Sequence, residues 1–205
     1  MLLDILRVGS RWEMNGARNF AIYYLQKLWL EPAQQIELAA FYNIQHWLAP
    51  AFASLVRTTW VGITDDSAVN LPGRILLIIA RTKDMITRER SLLALNVPRL
   101  SITGSSSCSN HANCRTAWHD TWTRKVRAAM LHPDNPLRFD KAQEFLRNLS
   151  FPGMTPQCLT HELDRIFSPN GPFCAEDRII AQGTRVLQDW CRLNSRVSPS
   201  PLICY

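Results

Sequence analysis

The residues with the most specific chemistry are three metal-binding side chains at even spacing. Cys108, His111 and Cys114 follow one another at intervals of three residues. Thiolate and imidazole groups of this kind bind Zn²⁺, which takes four nitrogen or sulfur ligands in a tetrahedron. The spacing therefore predicts three ligands of a structural zinc site. The competing interpretation is that Cys114 is a small buried side chain one turn before Trp118 and that His111 lies on the surface.

A fourth ligand has to come from another part of the chain. Cys158 is the strongest candidate, because it stands three residues before His161 and the two would share one face of a helix. Cys174 and His119 are weaker candidates. The predicted zinc site therefore consists of the Cys-His-Cys triad and Cys158.

The residue patterns of known catalytic sites are missing from the sequence. It contains no nucleophile elbow, P-loop, dinucleotide fingerprint or zincin motif. The adjacent acids Glu176 and Asp177 stand where a helix is predicted to begin, and the positive end of the helix dipole explains them there. We therefore predict a protein without catalytic activity and without a catalytic cofactor.

Two tryptophans, Trp118 and Trp122, could serve either as core residues or as a stacking platform for nucleic-acid bases. They lie one helical turn apart in line with Val126, which favours burial, since aromatic residues at helical spacing usually face inward. Four basic residues lie near them in the sequence: Arg115, Arg124, Lys125 and Arg127. A basic nucleic-acid-binding module centred on residues 111–131 is therefore the alternative function.

The elements that must position these side chains are helices, because apolar residues recur along the chain with helical periodicity. We predict an all-α fold of about 8–10 helices, arranged as stacked pairs or a bundle. Pro50 is predicted to lie in the first turn of a helix. One predicted inward stripe is the set Ala17, Phe20, Ala21, Tyr24, Leu25 and Leu28.

A change of composition divides the chain near its middle. Residues 96–110 contain Pro98, Gly104 and a run of serines, which is typical of a loop. We predict an N-terminal helical subdomain at 1–95, a loop at 96–110, a C-terminal helical subdomain at 111–194 and a flexible tail at 195–205.

Composition limits the class of protein. The chain has 205 residues and a net charge of +6, a surplus too small to indicate nucleic acid or acidic lipid as a partner by itself. The longest apolar run, Ile75–Ala80, is far shorter than the roughly 20 residues that span a bilayer. Six cysteines without a secretion signal indicate reduced thiols. We expect an intracellular protein, in cytoplasm or nucleus, that does not bind membranes.

Several segments in fixed order resemble the helical region that follows the BTB/POZ domain in a large group of fungal (basidiomycete) proteins. They are residues 5–12, 17–22, 36–44, 47–52, 71–81, 108–114, 118–122 and 131–133, and the resemblance spans roughly 3–194. The BTB domain itself is absent from this sequence, so BTB-type dimerisation is not expected. The resemblance implies a non-enzymatic, adaptor-type domain that binds another protein.

Overall fold

The computed structural model describes residues 1–59, 71–101, 108 and 110–194, and within these ranges it contains helices and no strand. The all-α prediction is therefore confirmed. The α-helices are α1 (Leu2–Arg11), α2 (Asn15–Lys27), α3 (Pro32–Tyr42), α4 (Gln45–Arg57), α5 (Gly73–Leu95), α6 (His111–Thr121), α7 (Arg127–Met130), α8 (Phe139–Asn148), α9 (Pro156–Ile166) and α10 (Ala175–Asn194). A π-helical turn, Trp122–Val126, joins α6 to α7, and a 3₁₀ turn, Pro172–Cys174, precedes α10.

Proline and asparagine set several helix boundaries. Pro32 and Pro156 are the first residues of α3 and α9, where the missing N–H has no helical partner to lose. Asn43 ends α3 in the left-handed conformation, with φ of 53°, which asparagine tolerates well. Pro50 does not begin a helix, as the sequence suggested, but lies inside α4. The end of the preceding helix comes earlier, at Asn43, so α4 has already begun before Pro50.

The structure divides into two compact units. The first comprises Met1–Thr82 with Ile180–Tyr205, and the second comprises Lys83–Ile179. The subdomain boundaries predicted from the sequence differ from these and stay a prediction. The described residues between α5 and α6 (96–101, 108 and 110) are non-helical, as expected for the serine-rich loop. The other loop residues, 102–107 and 109, and the predicted tail, 195–205, lie outside the described part.

In the first unit α1 packs on α2 and α3 packs on α4. Gly9 permits the close approach of α1 to α2, since a Cβ at this position would lie 2.8 Å from the backbone nitrogen of Arg18. The inward stripe predicted for α2 is correct for some of its residues only. Ala21 and Leu25 are buried as predicted, but three large side chains of the stripe are exposed: Phe20, Tyr24 and Leu28.

The core of the second unit is aromatic. Trp118 and Trp122 are almost completely buried, with 2% and 0% of their surfaces exposed. The ring of Trp118 stacks on Phe151 at a centroid distance of 5.2 Å, and Trp122 meets Phe173 edge-on at 6.1 Å. Among the described residues, no helix is both long and apolar enough to cross a membrane.

Candidate metal centre

The N-terminal ends of two helices carry the predicted metal ligands. Cys108 stands two residues before Asn110, which caps α6 by accepting a hydrogen bond from the backbone N–H of Asn113. His111 is the first residue of α6, and Cys114 lies one turn further. Helix N-termini carry partial positive charge, which favours the thiolate form of nearby cysteines.

Helix α9 brings the fourth residue of the predicted set. Thr155 and Pro156 start this helix, so Cys158 lies in its first turn. The side-chain hydroxyl of Thr155 makes no cap bond to its own helix and lies 3.8 Å from the sulfur of Cys114. The starts of α6 and α9 therefore meet at this cluster.

The ligand atoms are closely grouped. The sulfur, imidazole nitrogen and sulfur of Cys108, His111 and Cys158 all lie within 4.8 Å of one another, so this group could hold a metal ion. Cys114 Sγ lies 3.7 Å from Cys108 Sγ, and Cys158 Sγ lies 3.7 Å from His111 Nδ1. Zn–S bonds of about 2.3 Å place two sulfur ligands of one tetrahedral ion roughly 3.8 Å apart. The Cys108–Cys114 separation matches that edge, and the Cys158–His111 separation is close to the roughly 3.5 Å expected between a sulfur and a nitrogen ligand of one ion.

The cluster has a buried side and a more open side. Cys114 and Cys158 are buried, with 0% and 6% of their surfaces exposed, whereas Cys108 and His111 are partly exposed. The backbone N–H of Asn110 is the main cause that lowers the pKa of the Cys108 thiol, and neighbouring side chains including Thr155 lower it further. The lowered pKa favours the thiolate, the form that binds metals.

The other candidates for a fourth ligand lie apart from this cluster. Cys174 Sγ lies 3.8 Å from the carbonyl oxygen of Phe167. His119 is exposed, with Nδ1 3.8 Å from a carboxylate oxygen of Asp120. His161 is exposed as well. The structure therefore groups Cys158 with Cys108 and His111, and Cys114 joins this group only through its contact with Cys108. It does not bring the alternatives to the same place.

A buried acid next to the cluster was missed in the sequence. Glu162 is completely buried, accepts a hydrogen bond of 3.1 Å from the backbone N–H of Ser101, and pairs with Arg165. Arg165 also donates to the carbonyl oxygen of Arg99 at 2.8 Å. The signal was present, because Glu162 stands beside Leu163 at a position one turn after Cys158, on the apolar side of the helix.

The two tryptophans proposed as an alternative nucleic-acid platform are not accessible. Beyond its burial, Trp118 donates its indole N–H to the carbonyl oxygen of Pro98 at 2.9 Å. Arg127 donates to the carbonyl oxygens of Ala94 and Leu95 at the end of α5. Both rings therefore belong to the core. Of the four basic residues near them, Arg127 bonds to the backbone of α5.

Comparison of the chain with protein-family models, curated proteins and solved structures finds no match. The resemblance to the region after a BTB domain therefore stays a prediction.

Proposed function

We propose that Cys108, His111, Cys114 and Cys158 bind one structural zinc ion. The observation that carries the proposal is that the ligand atoms of Cys108, His111 and Cys158 lie within 4.8 Å of one another, with Cys114 Sγ 3.7 Å from Cys108 Sγ. Three thiolates and one imidazole complete a tetrahedral shell and leave no open position for a substrate, which is the pattern of structural rather than catalytic zinc.

Zinc at this point would tie the start of α6 to the start of α9. Its ligands are 44 residues apart between Cys114 and Cys158, so the ion would close a long loop whose entropy otherwise opposes folding. Structural metal binding is coupled to folding in this way. Reduced thiols of this kind suit an intracellular compartment, cytoplasm or nucleus.

The experiment measures bound zinc and melting temperature together. Protein purified without added chelator should contain about one zinc per chain, and a chelator should lower its melting temperature. Cys158→Ser should abolish zinc binding. Cys191→Ser is the matched control, because Cys191 is also buried, with 1% exposed, but belongs to the other compact unit. Full zinc content in Cys158→Ser, or a melting temperature indifferent to the chelator, would contradict the proposal.

We further propose that the whole chain is a non-enzymatic, adaptor-type protein-interaction domain, similar to the region after a BTB domain. Its support is the concentration of exposed large apolar side chains near the N-terminus, which is typical of protein-binding surfaces. Within residues 1–41 these include Leu3, Val8, Trp12, Met14, Phe20, Tyr23, Tyr24, Leu28, Trp29 and Phe41.

A binding assay across a salt series separates this function from nucleic-acid binding. A purified protein partner should bind saturably after nuclease treatment, with an affinity that falls much less steeply with salt than that of a nucleic acid. Binding to DNA or RNA falls steeply with salt because counterions are released. Affinity for nucleic acid at physiological salt, with no saturable protein partner, would contradict the adaptor function and favour the module centred on residues 111–131.

A further inference from the structure

One face of α2 is apolar and exposed, although the opposite face already packs into the core. Ala21, Ile22 and Leu25 are buried, with at most 8% of their surfaces exposed. Phe20 and Tyr23 are exposed by 50% and 55%. Single exposed apolar residues are ordinary, but a contiguous group of them marks a binding surface.

The exposed rings form an ordered cluster. Phe20 and Tyr24 have ring centroids 4.6 Å apart, and Tyr23 meets Tyr24 edge-on at 5.2 Å. The ammonium of Lys27 stands 4.1 Å from the centroid of the Tyr23 ring. Aromatic rings that already contact one another lose little freedom on binding, so they are effective anchors for a partner.

A cleft adjoins this ring cluster, and Tyr23 belongs to both. It has a cavity volume of about 530 Å³, and its polar lining includes Arg18, Gln26, Asn43, Gln45 and His46. These polar side chains can form hydrogen bonds with the polar groups of a partner that enters the cleft.

The charged residues of α2 and of the cleft lining are all basic, while Glu13 and Glu31 lie beyond the two ends of the helix. The segment from Met14 to Leu30 contains no aspartate or glutamate but does contain Arg18 and Lys27. The described residues that line the cleft also include no acid. Complementary charge fixes partner choice and orientation at interfaces. A partner with carboxylates therefore suits this site better than a partner with positive charge.

We propose that the ring cluster of α2 and the adjoining cleft bind an acidic peptide segment of a protein partner. An aromatic or aliphatic side chain of the peptide packs on Phe20, Tyr23 and Tyr24, and its carboxylates face Arg18 and Lys27. This inference rests on the adaptor function proposed above and names its surface and partner chemistry.

Two other occupants fit this surface less well. A second copy of the chain would bring like charges together, because the same acid-free segment would stand on both sides. An anionic membrane is held by clusters of roughly four to eight bases. This face offers two, Arg18 and Lys27.

The test uses the full chain, immobilised and probed with a phage-displayed library of random peptides. We expect enrichment of peptides that combine aspartate or glutamate with an aromatic residue or leucine. Synthetic copies of these peptides should bind Tyr23→Ala and Lys27→Glu about tenfold more weakly or worse, as expected for a central anchor. Both side chains are exposed, so the variants should retain the wild-type circular dichroism spectrum.

Matched controls come from exposed positions in other helices. Leu193→Ala removes an apolar side chain that is 70% exposed, and Lys141→Glu reverses an exposed charge. Neither should change peptide affinity. Peptides without acids, no enrichment, or attachment to phosphatidylserine vesicles in place of peptides would overturn the inference. Acidic peptides that bind both α2 variants normally would overturn it while leaving the adaptor function standing.

Discussion

Cys158 and Glu162 lie one turn apart on α9 and hold residues from the two sides of the serine-rich segment. Glu162 accepts the hydrogen bond of the Ser101 backbone N–H, and the sulfur of Cys158 lies within 4.8 Å of the sulfur of Cys108. One face of α9 therefore lies against both Ser101 and Cys108.

Replacement of Glu162 by alanine should destabilise the protein. The change removes the acceptor of the Ser101 N–H and the partner of Arg165, a loss of roughly 1–3 kcal/mol in the free energy of unfolding. A larger loss is not expected, since Arg165 is 38% exposed and water can hydrate its charge. Urea denaturation measures the difference. Glu144→Ala, at an exposed position of α8, is the control. Equal losses of stability in the two variants would show that the bonds of Glu162 to Ser101 and Arg165 do not stabilise the fold.

Burial of Trp118 and Trp122 predicts a large cost for their removal. Each change to alanine should lower the free energy of unfolding by about 3–5 kcal/mol, because it leaves a cavity in a packed aromatic core. Trp29→Ala is the control, since Trp29 is fully exposed and its loss should cost no more than about 0.5 kcal/mol. If Trp118→Ala unfolded at the same urea concentration as Trp29→Ala, the aromatic core would be misassigned.

Lys83 should make the stability of the protein depend on pH. Burial lowers the pKa of this ammonium from 10.5 to about 8. Between these values the unfolded chain keeps a proton that the folded chain has lost, so stability rises as the pH increases from about 8 towards 10.5. Lys83→Met should remove this rise.

Unfolding free energies of the wild type and Lys83→Met, measured across that pH range, isolate the contribution. Lys141→Met is the control, because Lys141 is exposed and the change should leave the pH dependence as it is in the wild type. A difference between wild type and Lys83→Met that stays constant with pH would contradict the lowered pKa.

The thiol of Cys191 should resist alkylation. Burial raises its pKa to about 11, so roughly one molecule in a thousand carries the reactive thiolate at pH 8. Cys174 is partly exposed and should react with iodoacetamide before Cys191 does under native conditions. Mass spectrometry of the digested protein reports the order. Early modification of Cys191 would show that its helix, α10, opens readily.

The grouping of Cys108, His111 and Cys158 was partly predictable, because these residues lie at or just before helix starts, which the sequence marks well. Asn110 and Thr155-Pro156 indicate where α6 and α9 begin, so the positions of His111 and Cys158 in the first turns follow. The meeting of the two helices is tertiary and could only be guessed from the chemistry of the ligands. Glu162 was overlooked although its position on the apolar side of α9 indicated burial, because its contact with the Ser101 backbone is tertiary.

The fold class followed from periodicity, but the exposure of individual faces did not. Phe20 and Tyr24 fit an inward stripe by spacing, yet α2 turns its smaller residues, Ala21 among them, to the core. Spacing cannot tell which of two apolar faces a neighbouring helix will cover. The exposed face is the one for which we propose a partner.

A π-helical turn also had a signal in the sequence. Buried residues recur at intervals of four: Cys114, Trp118, Trp122, Val126 and Met130. In a regular α-helix each such step turns about 40° away from the previous residue, so a run of this length would leave the core. The wider winding at Trp122–Val126 corrects this drift and keeps the whole set buried.

The most direct test of the proposed zinc centre is X-ray absorption at the zinc edge of the purified full chain. The site made by Cys108, His111, Cys114 and Cys158 predicts three sulfur ligands at about 2.3 Å and one nitrogen ligand at about 2.0 Å. In Cys114→Ser, the zinc that stays bound should show two sulfur ligands instead of three. A protein without zinc, or zinc surrounded only by oxygen and nitrogen, would contradict the account.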